Sequence, residues 1–305
     1  MLKDKKMKLK QTKIQKKESR EFYFFTSPWW IGLILFVIGP MIASILISFM
    51  RWDIISPPVW VGFDNYKELF VEDLLFWKSM KVTLVFTFVL VPIQLTLSLL
   101  VAILLNQKIM GMKFYRTMFY LPTVLPVVAS SMLWLWIFYP QGLLNFFLGI
   151  FGIPAQEFLT NESLALPSII LMSLWGSFGT NMIIFLAGLQ GVPRTLYEAA
   201  EVDGASTWTK FKKITIPMLS PVIFFNFVMG TIGTFQVFTQ GYLLTDGKPN
   251  HSTLFYVLYL YRKAFEYLEL GSASAMAWIL FLIIMGATAL IMKSSKSWVY
   301  YEGQK

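Results

Sequence analysis

The sequence has no cysteine and one histidine, His251. Disulfides, thiolate metal sites and cysteine nucleophiles are therefore excluded, and one imidazole cannot form a histidine metal cluster. The lack of thiols leaves the compartment open. Charge is also scarce: 14% of the 305 residues are Asp, Glu, Lys or Arg, against about 25% in soluble domains. Neither G-x-x-x-x-G-K-[ST] nor H-E-x-x-H occurs, so a P-loop for ATP and a zincin-type metal pair are both missing.

What fills the chain instead is apolar. Hydrophobic residues make up 56% and aromatics 17%, including 28 Phe and 11 Trp, and the mean hydropathy is +0.60. Six runs, at about 28–50, 82–106, 118–140, 167–190, 220–245 and 275–292, hold no Asp, Glu, Lys, Arg or His. About 20 residues at a rise of ~1.5 Å cross a hydrocarbon core roughly 30 Å thick. The predicted fold is an all-α integral membrane bundle of six spans. Pro40, Pro92 and Pro126 fall inside runs; neighbouring helices can re-satisfy the carbonyls such prolines free. Carriers driven by ion gradients, and intramembrane proteases, place ionisable groups inside spans, and these runs supply none.

Orientation follows from Lys and Arg. The basic tail 1–27, the loops 107–117 and 191–219 and the tail 293–305 together carry 19 of the 26. The positive-inside rule puts both termini and segment 191–219 in the cytoplasm. The run from Pro28 to Met50 is too long for a signal-peptide core and has no cleavage site before Arg51, so it is expected to remain as a first span. The net charge of +9 follows this topology and argues for no nucleic-acid partner. A solvated tail, or one held to anionic membrane lipid, accounts for its basic residues.

Segment 191–219 is the exception to the scarcity of charge. A helix is predicted over 193–203, starting at Pro193 or at a Thr195/Glu198 capping box. Leu196, Ala199 and Ala200 share one face; Arg194, Glu198 and Glu201 share the other. Gly204 ends the helix. A second short helix carries Trp208, Lys210, Lys212 and Lys213, and Pro217 restarts the chain into the fifth span.

The spacing here is Glu198-Ala199-Ala200, three residues, Gly204, nine residues, Ile214, one residue, Ile216-Pro217. It resembles the EAA loop of binding-protein-dependent ABC importer permeases, with Ile216 where that family usually has Leu. The resemblance implies the type I importer permease fold in a bacterial cytoplasmic (inner) membrane. It also implies a coupling role for Glu198, Ala199, Ala200, Glu201, Asp203 and Gly204. ATP and Mg would be held by two partner ATPase subunits, with no cofactor on this chain. A second homologous permease, expected as a heterodimer partner, and an extracytoplasmic solute-binding protein complete the expected assembly.

Weaker likenesses lie at Gly62 to Tyr66, at Gly142 to Asn145, at Leu243 to Pro249 (where Lys248 departs from the usual pattern) and at Trp298 to Tyr301. Together they favour the carbohydrate-importing branch. A path for an uncharged polyol needs amides, hydroxyls and aromatic faces. Trp175, Ser177, Asn181, Asn226, Gln236 and Gln240 are the candidates, with Gln94 on span two. Gln236 and Gln240 are expected on one helical face. Such amides also bond between helices, and the same residues would serve an ATP-independent channel or facilitator.

Overall fold

A computed structural model describes residues 13–107 and 109–300. Most of the basic tail, Lys108 and Tyr301 lie outside these residues. Helix α1 (Lys13–Leu33) runs through a π turn at Ile34–Ile38 into α2 (Gly39–Ser48). The π turn accommodates Pro40, which has no N–H for the regular ladder. A two-stranded hairpin, β1 (Met50–Arg51) with β2 (Val59–Trp60), and α3 (Asp64–Val71) follow, then the long α4 (Leu74–Leu105). Next come α5 (Met112–Val124), α6 (Val127–Phe138), α7 (Leu143–Ile150) and α8 (Glu162–Gly191). The charged segment forms α9 (Arg194–Val202) and α10 (Thr207–Lys210), and a π turn at Phe211–Thr215 leads into α11 (Ile216–Phe235). The chain closes with α12 (Thr239–Leu244), α13 (Tyr256–Tyr261), a π turn at Arg262–Glu266 and α14 (Leu270–Trp298).

Six helical stretches are long and apolar enough to cross a membrane: Lys17–Ser48, Leu74–Leu105, Val127–Ile150, Glu162–Gly191, Thr207–Phe235 and Leu270–Trp298. Four of them overlap the expected runs and extend them into flanking polar turns, but Val127–Ile150 begins nine residues after the start of the run 118–140 and Thr207–Phe235 ends ten residues before the end of the run 220–245. Two runs are not single helices. The run 118–140 breaks at Leu125, which is extended (ψ 133°) ahead of Pro126, as the residue before a proline prefers. The run 220–245 leaves the helix at Gln236 and resumes only at Thr239.

Helices α4 and α8 form the centre, with α11 and α5 packed against them and α14 packed against α11 and α2. Small residues set the close approaches. A Cβ on Gly188 would lie 2.9 Å from Leu219 and Val222 of α11, and one on Gly179 would lie 2.6 Å from the Phe119 carbonyl of α5. Ala102, Phe185 and Leu219 are fully buried where α4, α8 and α11 meet near the charged loop. The first span is almost unburied, lying along α14 with Trp278 Nε1 donating to Ser44 Oγ at 3.1 Å.

The end of the bundle away from the charged loop is braced by polar bonds. Gly62 turns the chain at φ +62°. Asn65 then donates to the carbonyls of Ser48 and Met50 at 2.8 and 2.9 Å, and Tyr66 donates to Ser48 Oγ at 2.8 Å. The residues that carried the Gly62–Tyr66 likeness thus tie the hairpin to the first span. Asp73 caps α4, accepting from the Leu75 and Phe76 amides at 3.0 Å, and its other oxygen accepts from Tyr259 and from Lys263 Nζ at 3.3 Å. Lys263, only 7% exposed, also bonds Glu269 at 2.7 Å just before α14. One ammonium therefore joins the starts of two spans. Burial disfavours its charge, but Glu269 and Asp73 outweigh burial, so its pKa is raised.

Replacing Lys263 by Met should remove the cation shared by Asp73 and Glu269, with Asp73 keeping its amide and Tyr259 donors, and cost about 2 kcal/mol, read as a lower unfolding temperature in detergent. Because the folded pKa is raised, the wild-type contribution should persist at neutral pH and fade only as pH rises through the alkaline range; a Lys263→Met protein as stable as wild type at pH 7 would refute it.

Candidate functional site

The charged loop is built as two helices around a glycine turn. α9 starts at Arg194, with Pro193 before it and no side-chain cap; the Thr195/Glu198 capping box does not form. Gly204 sits at φ +72° with open space around its missing side chain. The Ala205 amide bonds the Ala200 carbonyl at 2.8 Å, and the Gly204 amide bonds that of Glu201 at 3.0 Å. This is the paired closure of a Schellman turn, which needs a left-handed residue at this position. Ser206 then caps α10, its Oγ accepting from the Thr209 amide at 3.2 Å.

The apolar face of α9 does not stay together. Tyr197 and Ala200 turn inward, while Leu196 and Ala199 are exposed. Glu198, Glu201, Asp203 and Gly204 are exposed as well. Val202 at 88% and Trp208 at 69% are bare hydrophobic side chains on either side of the glycine turn. Arg194 and Glu198 form no ion pair; Glu201 instead meets Lys210 of α10 at 2.6 Å. The loop presents an acidic ridge with apolar knobs, held in one shape by its own bonds.

A second feature lies among α4, α8 and α11: a cavity of about 550 Å³. Gln94, Ser177, Asn181, Gln236 and Gln240 line it together, with Phe86 and Phe238 among the apolar walls and no charged side chain. Ser177 and Thr234 donate to carbonyls of their own helices, leaving oxygen lone pairs for a ligand; each amide offers both donors and an acceptor. Gly176 and Gly233 contribute open space rather than close packing, unlike Gly179.

Two expected path residues are elsewhere. Trp175 stacks edge-on with Trp134 at 5.8 Å within the core. Asn226 is 1% exposed and faces helix packing, its amide unpaired among the described residues. Gln236 and Gln240 do reach the cavity, but from opposite sides of the break between α11 and α12 rather than from one helical face. Ser173, Thr180, Thr234 and Thr239 also line it and were not foreseen. The stripe Ser173, Ser177, Thr180, Asn181 at helical spacing was the signal that could have found four of the α8 lining positions at once.

Comparison with known proteins agrees with this geometry. Residues 94–296 match the family described as "Binding-protein-dependent transport system inner membrane component". The chain is 42% identical to the probable ABC transporter permease protein YesP of Bacillus subtilis (strain 168) over 302 residues, 97% of each chain. It is 32% identical to the arabinooligosaccharides transport system permease protein AraP of the same organism, covering 90% of this chain and 88% of AraP. A similar likeness, 32% over 92% of this chain and 96% of the relative, holds for the trehalose/maltose transport system permease protein MalF of Thermococcus litoralis. The fold matches a chain from the crystal structure of a bacterial ABC transporter involved in the import of the acidic polysaccharide alginate, with TM-score 0.82, 24% identity and coverage of 93% and 99%. With its six apolar helical stretches, glycine-turned charged loop and these relatives, the chain belongs to the inner membrane components of binding-protein-dependent transport systems, as a permease subunit of an ABC transporter.

Proposed function

We propose that this subunit carries a sugar or oligosaccharide through the cavity lined by Gln94, Ser177, Asn181, Gln236 and Gln240, driven by ATPase subunits docked on the charged loop. The loop carries the reading: an exposed, internally braced α9 with its glycine turn is a rigid body that a neighbouring subunit can grip. Glu198, Ala199, Glu201, Asp203 and Gly204 form the gripped ridge, with the inward-turned Ala200 backing it through the turn, and ATP and Mg belong to the partners. The names of relatives such as AraP and MalF support a saccharide, and the uncharged, amide-rich lining suits hydroxyl groups. A second permease completes the pore. A binding protein delivers solute at the end braced by Lys263, and both termini face the cytoplasm with the loop.

The chain has no cysteine, so topology can be read with single thiols. In right-side-out vesicles an impermeant maleimide should label Ile55→Cys and spare Val202→Cys until the membrane is opened; the reverse pattern would overturn the orientation. Thermal-shift screening of the binding protein against oligosaccharides identifies the sugar. Uptake of that sugar into vesicles should then require internal ATP. Gly204→Val should abolish it with the subunit still inserted, since a β-branched residue at φ +72° is a backbone outlier, strained by at least about 1–2 kcal/mol. ATP-independent uptake would sink the importer reading. Gly233→Leu, which places a side chain into the cavity, should block uptake while leaving ATPase co-purification intact; wild-type uptake would move the path elsewhere.

A further inference from the structure

The lever has two candidate spans to move, because α9 is connected to α8 at one end and to α11 at the other. Its polar side-chain bonds go one way. Tyr197 Oη lies 2.9 Å from Thr215 Oγ1, and Glu201 Oε1 lies 2.6 Å from Lys210 Nζ. Both partners sit on the helical stretch that runs without interruption from Thr207 to Phe235. On the other side, Val192 and Pro193 form an extended link (ψ 124° and 127°). No side-chain hydrogen bond or ion pair joins α9 to α8 among the described residues.

Thr215 bonds out of its own helix, as Thr83 of α4 does in accepting from the Tyr256 amide at 2.9 Å. Thr96, Thr117, Thr231 and Thr234 each donate to the carbonyl four residues back in their own helix. Thr215 pairs instead across to α9. It does so at the end of the π turn Phe211–Thr215, closed by the Ile216 amide on the Phe211 carbonyl, and it is 7% exposed. A π turn shifts the following side chains relative to a regular helix, and here the shifted residue is the one that meets Tyr197. From Thr215, α11 rises about 22 Å to Gly230, where it begins to form one wall of the cavity with Gly233, Thr234 and Gln236.

We propose that Tyr197 and Thr215 are positioning residues that lock the coupling helix to α11, so that the motion of α9 is delivered to the α11 wall of the cavity while α8 is left free to shift against it. The bridge between Glu201 and Lys210 sets the angle between α9 and α10. This rests on the coupling reading above, which it extends by naming the span that is driven.

The test uses the assembled transporter, with its ATPase subunits, in lipid vesicles and with Mg–ADP–vanadate as the trapping probe. Nitroxides on introduced cysteines report Thr195 of α9 to Phe225 on α11 and Thr195 to Ile183 on α8; all three positions are exposed in the subunit and lie outside the gripped ridge. Trapping should leave the first distance unchanged and shift the second. Tyr197→Phe and Thr215→Val should each make the first distance change on trapping. The double variant should add nothing to the larger single effect, and Thr215→Ser should restore wild-type behaviour. ATPase subunits should co-purify with every variant. Equal shifts of both distances in the wild type, or hydroxyl-lacking variants that behave as wild type, would overturn the lock. Loss of co-purification in Tyr197→Phe would also overturn it, making Tyr197 a docking contact instead. If the wild-type subunit fails to retain ATPase subunits at all, the coupling reading itself falls, a result distinct from failure of the lock.

Discussion

Hydrocarbon offers no partner to a backbone amide or carbonyl, and the architecture follows from that constraint. Each membrane segment must close its own hydrogen bonds, so the chain crosses as helices, and the Asp, Glu, Lys, Arg and His side chains stay out of the six apolar runs. Once charge is kept to the ends, the bundle is held by close packing. Gly179 and Gly188 let α5 and α11 approach α8 closely, which substitutes for the hydrophobic driving force that is absent between helices in lipid.

The same constraint locates the cavity. Polar side chains of the continuous helices α4 and α8, Gln94, Ser173, Ser177, Thr180 and Asn181, supply one part of its lining, and interrupted helices supply the rest. The chain breaks its helices at Leu125–Pro126 and again at Gln236–Phe238. Val127 on one side, and Gln236 with Phe238 on the other, then line the pocket between α4, α8 and α11. Non-helical backbone at this depth is tolerated where it borders protein or a polar cavity. The amides and hydroxyls that face the space are neutral, so the cavity is polar without an isolated buried charge.

The two ends of the bundle are rigid for different reasons. At one end Lys263 links Asp73 to Glu269 and so joins α4 to α14. At the other, a Schellman turn and the Glu201–Lys210 ion pair hold α9 to α10, and Tyr197 meets Thr215 in the π turn that leads into α11. Between them the cavity is bordered by Gly176 and Gly233, which have open space around them, and there helices can shift without first breaking a charged contact.

The sequence by itself determined the fold class, the six crossings and the turn at Gly204, because each rests on a local rule: uncharged runs of spanning length, or a helix end that requires φ above zero. It also pointed to Ser177, Asn181, Gln94, Gln236 and Gln240, since an amide or hydroxyl inside an apolar run stands out in any reading. Only the tertiary structure decided which of the polar residues share a space. Trp175 and Asn226 look equally suited in the sequence, yet one packs against Trp134 and the other is buried between helices. The direction of a side chain depends on where helices break and which neighbours they meet. For the same reason the partnership of Tyr197 with Thr215, eighteen positions away, was invisible to any local pattern: a π turn had to rotate one residue toward the other.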